Sequence, residues 1–414
     1  MGHNRKAVPQ GHHAHALLGR GREVMEGFFP GLTQDLINKG AKSGDTQAQV
    51  RWYGRGLPLA QAESGMMGLA VSRPLLEGYI RSRVMALPGV SLIENCDVLG
   101  LVSTSDKSRV TGVRLVRRNL GSLEESLNAD LVLDASGRGS QAPKWLGALS
   151  YEAPQIEQVR VGLGYASVHC VRRPEDQDYN AVVVAASPHN PRGAAMIAQE
   201  GGRWIVSVGG FMGDHAPTDY AGFLAYTKTL AAPEIAEVVG RGEVIGEIVP
   251  FQYPASVRRH YQKLKRFPQG LLVFGDAICS FNPVYGQGMT SAALQALALK
   301  TELDKGKAQL AQRFFRAASR VVDIPWSMAV GNDLNHPKVE GQRTPKIRFI
   351  NWYMSKLFVA AHQDAVVAKA FLKVTNLIAP PPSLMAPPVA WRVLLGNLWP
   401  KVKPTAQPMI ASKT

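Results

Sequence analysis

Between residues 275 and 289 the chain reads Gly275-Asp276-Ala277, then Asn282-Pro283, then Gly286-Gln287-Gly288-Met289. The run Gly270-Leu271-Leu272-Val273-Phe274-Gly275 that leads into it is apolar throughout, as a buried strand would be, and Gln287 to Leu303 has helical composition. An acid at the end of a buried strand can accept hydrogen bonds from the hydroxyls of a sugar-like chain. Glycines opening a helix let backbone N–H groups approach an anion, and the helix dipole adds positive potential at the same place. Such a set suits the ribityl chain and pyrimidine edge of a flavin, whose reduced ring carries negative charge. The bland alternative is a tight strand–loop–helix joint whose glycines serve packing alone.

Three further segments carry possible chemistry. The run from Asp130 through Asp134 to Ala135-Ser136-Gly137-Arg138-Gly139-Ser140 has the pattern of a buried strand feeding a glycine turn. In Ser72-Arg73-Pro74, Ser72 is a good N-cap and Pro74 suits a first helical turn, which would set Arg73 at a helix start. His12, His13 and His15 crowd four positions but lack acidic or cysteine companions, so no metal is expected there. His13 and His15 read better as lining a flavin or substrate cavity.

In order and spacing, Gly275-Asp276, Pro283 and Gly288 resemble the second flavin motif of the aromatic-hydroxylase class of FAD monooxygenases. The Asp134-Ala135-Ser136-Gly137 turn is similar to a variant of that class's Asp-Gly motif, found in its polyether epoxidase-like and halogenase-like branches. By this resemblance Asp276 would bind ribityl oxygens, Pro283 would lie along the isoalloxazine face, and Gly286, Gln287, Gly288 and Met289 would offer N–H groups to the pyrimidine edge. Gly275, Asp134 and Gly137 would shape the turns that approach the cofactor. Arg73 would reach the FAD phosphate or ribose. The same resemblance implies NAD(P)H as electron donor, delivered directly or through a separate flavin reductase, and molecular oxygen as co-substrate.

Those motifs need elements to hold them. Val90 to Ile93, Val98 to Thr104 and Val110 to Val116 are β-rich runs between turn residues and predict a small antiparallel meander. From about 159 to 210 several more β-rich segments predict a second, largely antiparallel sheet that closes the cofactor cleft with an apolar wall, and 218 to 239 is helical in pattern. Past 305 the chain is mainly helical. The fold class expected is α/β: a Rossmann-like FAD-binding layer, a second substrate-binding sheet and a helical C-terminal region. Domains are expected at 1–35, 66–150 and 265–330 for FAD, 36–65 and 151–264 for substrate, and 331–414 for the helical region. By the resemblance a strand, a GxGxxG turn and a helix should precede residue 8 to hold the pyrophosphate, and the sequence has no such run, so the layer is expected to lack its first unit.

Composition bounds the rest. Across 414 residues, 47 Lys and Arg against 32 Asp and Glu give +15, which favours anionic partners, but no nucleic-acid-binding signature accompanies the charge. The basic run Arg258 to Arg266 reads as a solvated face. Three cysteines without paired spacing suggest neither disulfides nor zinc and suit a reducing cytoplasm; no stretch is apolar enough to predict a transmembrane helix. The function implied is an FAD-dependent monooxygenase, an epoxidase or hydroxylase acting on a small lipophilic molecule through a flavin hydroperoxide. A flavin-dependent prenyl double-bond reductase and an inactive truncated remnant are the alternatives.

Overall fold

The computed structural model describes residues 9–15, 17–118 and 123–398. The first third runs α1 (Gly19–Phe28), α2 (Leu32–Asn38), β1 (Lys42–Asp45), β2 (Val50–Gly54), β3 (Leu57–Pro58), β4 (Met67–Ala70), α3 (Arg73–Met85), β5 (Cys96–Ser103), β6 (Val110–Arg117), β7 (Glu124–Asn128) and β8 (Val132–Asp134). Then come α4 (Ala142–Ala148), β9 (Ile156–Val171), β10 (Ala181–Val184), β11 (Arg192–Gln199), β12 (Arg203–Gly210), α5 (Tyr220–Thr227), α6 (Pro233–Gly240) and β13 (Val244–Arg259). The last part is β14 (Leu271–Val273), β15 (Cys279–Ser280), α7 (Gly288–Leu303), α8 (Leu310–Asp333), α9 (Pro345–Ala361), α10 (Ala365–Thr375) and α11 (Pro387–Leu398).

The fold is mixed α/β with a helical C-terminal region. β14 pairs in parallel with β8, placing Val273 beside Asp134, so the two glycine turns leave the same end of one layer. Leu271, Leu272 and Val273 are completely buried against Phe314 and Phe315 of α8, which is why three apolar residues suffice to seat this strand. β8 differs from the buried strand expected. Leu133 at its centre is 41% exposed, because β14 is the only strand paired with β8 among the described residues.

The second sheet has eight strands in the order β15-β13-β9-β12-β11-β10-β2-β3, antiparallel except for β10 with β2. Trp204, Val206 and Val208 alternate inward on β12 and pack with Phe223 of α5 and Ile235 of α6, which cover that face. Its longest pairing joins β9 to β13, a strand the sequence pattern hides. Pro250 and Pro254 argue against a central strand. The pairing tolerates Pro254 because the register slips between Tyr253 and Ala255, leaving the proline at a bulge without a ladder partner.

Two further expectations are corrected. The meander is β5-β6-β7, and residues 90–93 are exposed coil; β5 begins at Cys96, after Asn95 turns the backbone at φ 51°. Nor is the basic run a uniformly solvated face. Arg258 is only 6% exposed and is bonded to Asp323 and Ser319 of α8, and His260 is buried against Glu157.

Candidate functional site

Leaving β14, the chain makes a single turn at Gly275–Ala277. Gly275 has φ 66°, a conformation that suits glycine, and its N–H donates to Gln295 Oε1 of α7 at 3.0 Å. This bond aims Asp276 across the start of α7, where a side chain on Gly288 would come within 4.0 Å of Asp276 Oδ1. Asp276 is half-buried and its carboxyl accepts no hydrogen bond from the described residues. Burial pushes its pKa up, opposed by the positive charges of Arg73 and Arg138. Three segments distant in sequence thus meet at one carboxylate.

The turn after β8 is held from within. Asp134 is buried and accepts from Ser136 N at 3.0 Å and from the hydroxyls of Ser136 and Ser140 at 2.5 Å, so its carboxylate is fully engaged by its own loop. Those bonds shape the Gly137–Gly139 turn. Gly137 has φ 78° with open space around it, and the Arg138 guanidinium lies 4.5 Å from the centre of the Tyr253 ring. Arg259, at the end of β13, donates to Ala277 O and to Arg138 O, both at 3.1 Å, and so clamps the two turns together.

The loop entering α7 is pinned by a buried acid. Asn282 Nδ2 and the Tyr285 hydroxyl donate to Asp333 Oδ1 at 2.8 and 2.7 Å, while Asp333 Oδ2 has no partner. Burial pushes the Asp333 carboxyl up to about 7 against the lowering effect of those two donors. Pro283 and Val284 stand exposed between the anchored Asn282 and Tyr285, and Gly286 turns the chain at φ 65° into the helix. Gln287 is buried with its Oε1 unpartnered, and Gly288 and Met289 are half-buried.

Arg73 sits at the first position of α3, whose N-cap Ser72 accepts from Leu75 N at 3.2 Å. Its guanidinium pairs with Glu77 at 3.2 Å. His13 lies on the face of the eight-stranded sheet opposite α5 and α6, with Nδ1 2.8 Å from Ser167 Oγ and its ring edge-on to Tyr165 and Phe251. His15 Nδ1 lies 2.9 Å from His13 O. Burial depresses both imidazoles to about 4, so both are neutral near pH 7; the charge of Arg73 adds to the effect on His15.

The sequence motifs therefore converge, whereas the sequence assigns Arg138 no role in its turn, places Arg259 in a basic run that reads as a solvated face, and marks Gln295 and Asp333 with no motif. Two cavities, of about 410 and 470 Å³, lie elsewhere, at the opposite end of β14 and against α8 and α9, and touch neither Arg73 nor the turns at 134–140 and 275–289. The start of α1 is no free anion site either. Gly19 N donates to Asn376 Oδ1 at 2.9 Å and Gly21 packs on Thr290 of α7.

No family model matches the chain. The Mycobacterium tuberculosis protein Rv3254 is 31% identical over 408 residues, covering 95% of this chain and 86% of its own length. Among solved structures, PqsL, a probable FAD-dependent monooxygenase from Pseudomonas aeruginosa, superposes with a TM-score of 0.59 at 16% identity over 78% of this chain and 87% of its own. The flavin-dependent brominase Bmp2 gives 0.60 at 14% identity over 94% and 90%. The p-nitrophenol 4-monooxygenase PnpA from Pseudomonas putida gives 0.60 at 16% identity over 88% of each chain.

Proposed function

This chain belongs to the family of the Mycobacterium tuberculosis protein Rv3254 and has the fold of the flavin-dependent monooxygenases and halogenases, and on that footing we propose that it is an FAD-dependent monooxygenase acting on a small lipophilic substrate. The observation that carries the proposal is the unpartnered Asp276 carboxylate at the N-terminus of α7, flanked by Arg73 and Arg138. A half-buried acid without a hydrogen-bond donor is costly unless a ligand supplies one.

The residues fit the flavin end of FAD. Asp276 would accept from ribityl hydroxyls, the N–H groups of Gln287 to Met289 would be offered to the pyrimidine edge with the helix dipole behind them, and the exposed Pro283–Val284 ridge would give the ring an apolar face; the Gly286 N–H is taken by Pro283 O at 3.0 Å, so Gly286 serves the turn. Gln287 Oε1, buried and unpartnered, is a further acceptor in the same place. Gly137 and Gly275 leave room for close approach, and Arg73 balances anionic charge. When bound, FAD supplies the electrons and the site of oxygen activation. The protein positions it and excludes water. Tyr165, Phe251 and the neutral His13 form an aromatic wall on the sheet, which suits an apolar substrate and offers no strong acid or base. An epoxidation or hydroxylation requires none from the wall, and NAD(P)H, directly or through a separate reductase, is the proposed donor.

The test combines flavin binding with oxygen uptake. FAD titrated into the chain should bind, and Asp276→Ala should weaken binding by about tenfold or more, as expected for loss of about 1.5 to 3 kcal/mol of charged hydrogen bonding, while the thermal midpoint without FAD should not fall, since the variant removes an unpartnered acid. Oxygen consumption that depends on NAD(P)H, with or without an added flavin reductase, supports the monooxygenase. Turnover of an alkene substrate without oxygen uptake would instead mark a reductase, and equal FAD affinity in Asp276→Ala would remove the site assignment.

A further inference from the structure

The C-terminal helices carry a surface unrelated to the flavin site. On α9 the exposed residues Pro345, Arg348, Phe349, Trp352 and Lys356 recur at helical spacing, and the rings of Phe349 and Trp352 lie 5.7 Å apart in the open. On α11 the exposed stripe is Trp391, Leu394, Leu395 and Leu398, opposite the buried Val393. The two aromatic residues Trp352 and Trp391 are 55% and 61% exposed, which is unusual for the side chain with most to gain from burial. α11 rests on α9 where Gly396 meets Ala360 and Asn397 Nδ2 donates to Lys356 O at 2.9 Å.

Charge decides what covers this surface. From residue 341 to 398 the sequence has seven Lys and Arg and one acid, Asp364, which is already paired with Arg392 at 2.8 Å. Beside Trp352 a cavity of about 470 Å³ opens between the β2–β3 turn and α9, lined by Arg55, Arg343 and Arg348. Arg343 is engaged by the carbonyls of Leu334, His336 and Val339, but Arg55 and Arg348 have no acidic partner among the described residues. A second copy of so basic a surface would meet it with like charge. No helix among the described residues is long and apolar enough to cross a membrane. Apolar and aromatic side chains edged by unpaired cations on short helices match a surface that lies in the headgroup layer of a bilayer.

We propose that the α9–α11 surface docks the protein on an anionic lipid membrane, with Phe349, Trp352, Trp391 and the α11 leucines entering the interface while Arg55, Arg348 and Lys356 face lipid phosphates. Docking goes beyond the flavin chemistry and does not depend on it. A protein held there would meet lipophilic molecules where they partition.

Co-sedimentation of the full chain with vesicles tests this. Phosphatidylcholine vesicles containing about 30% phosphatidylserine should carry down the protein, and raising the salt to about 0.5 M should release most of it. The exposed-site double variant Trp391→Ser with Leu394→Ser should lower the partition coefficient by about tenfold or more. Arg55→Gln with Arg348→Gln should lower it by a similar factor on phosphatidylserine vesicles and little on phosphatidylcholine alone, which gives an independent reading if the first variant fails to fold. Absence of vesicle binding, or binding equal in both variants and the parent, would overturn the proposal. So would a dimer that the apolar variant dissociates without any vesicle partition, or displacement from vesicles by inorganic phosphate at ionic strength held constant.

Discussion

Asp333 is chemically the most unusual side chain near the loop that enters α7. It takes hydrogen bonds from Asn282 and Tyr285 on one oxygen, has none on the other, and lies at the end of a long helix where the sequence marks it in no way. Its carboxyl moves from an ordinary 3.8 to about 7 through burial. A carboxyl with a raised pKa holds in the fold a proton that the unfolded chain releases, so stability is greatest at low pH and falls as pH rises from about 4 to about 7. Asp333→Asn is neutral at every pH and keeps an acceptor for both donors. Thermal unfolding from pH 4 to 8 should show the variant gaining on the parent across that window, by on the order of 4 kcal/mol in full. A constant difference across pH would show that the acid is charged in the fold throughout. Asp276, by contrast, was legible because its neighbours Gly275, Pro283 and Gly288 lie in one continuous run.

At the scale of elements, the turns after β8 and β14 are adjacent because two three-residue strands pair, and such short strands do little to fix the geometry beyond them. Arg259 supplies the missing constraint from a different sheet, bonding a carbonyl in each turn. Arg259→Met keeps the apolar stem and removes both bonds. Urea unfolding should show a loss of about 2 kcal/mol or more, and amide exchange should quicken over Gly137–Gly139 and Gly275–Ala277 before it does in β9 or β12. Uniform quickening would assign the arginine a general packing role. β13 and the β5-β6-β7 meander show the limits of pattern reading: two prolines concealed a sixteen-residue strand, and the apolar residues 90–93 resembled a strand they do not form. In each case the partner strand decides, through a bulge in one and its absence in the other.

Over the whole molecule, the parallel layer and the eight-stranded sheet are tied at the start of α3. Glu200, just past β11, accepts from Ser72 N at 3.1 Å and from the Ser72 hydroxyl, and pairs with Arg203 at 3.3 Å, so the sheet holds the helix end that presents Arg73. Glu200→Ala should lower stability by about 1 to 3 kcal/mol in thermal unfolding and speed exchange in the first turn of α3; an unchanged midpoint would make the contact incidental. The sequence by itself determined the α/β class, the second antiparallel sheet, the helical C-terminal region and the motif segments at 73, 134–137 and 275–289. Those are local signals, carried by apolar periodicity and by glycine, proline and acid at fixed spacing, and they survive without knowledge of neighbours. Only the tertiary structure decided that Asp134 is taken up by its own turn while Asp276 is left unpartnered, that Arg138, Arg259 and Asp333 gather around the turns after β8 and β14, and that Trp352 and Trp391 face outward. Partnering and exposure depend on what folds against a residue from far along the chain, and no spacing within a segment encodes that.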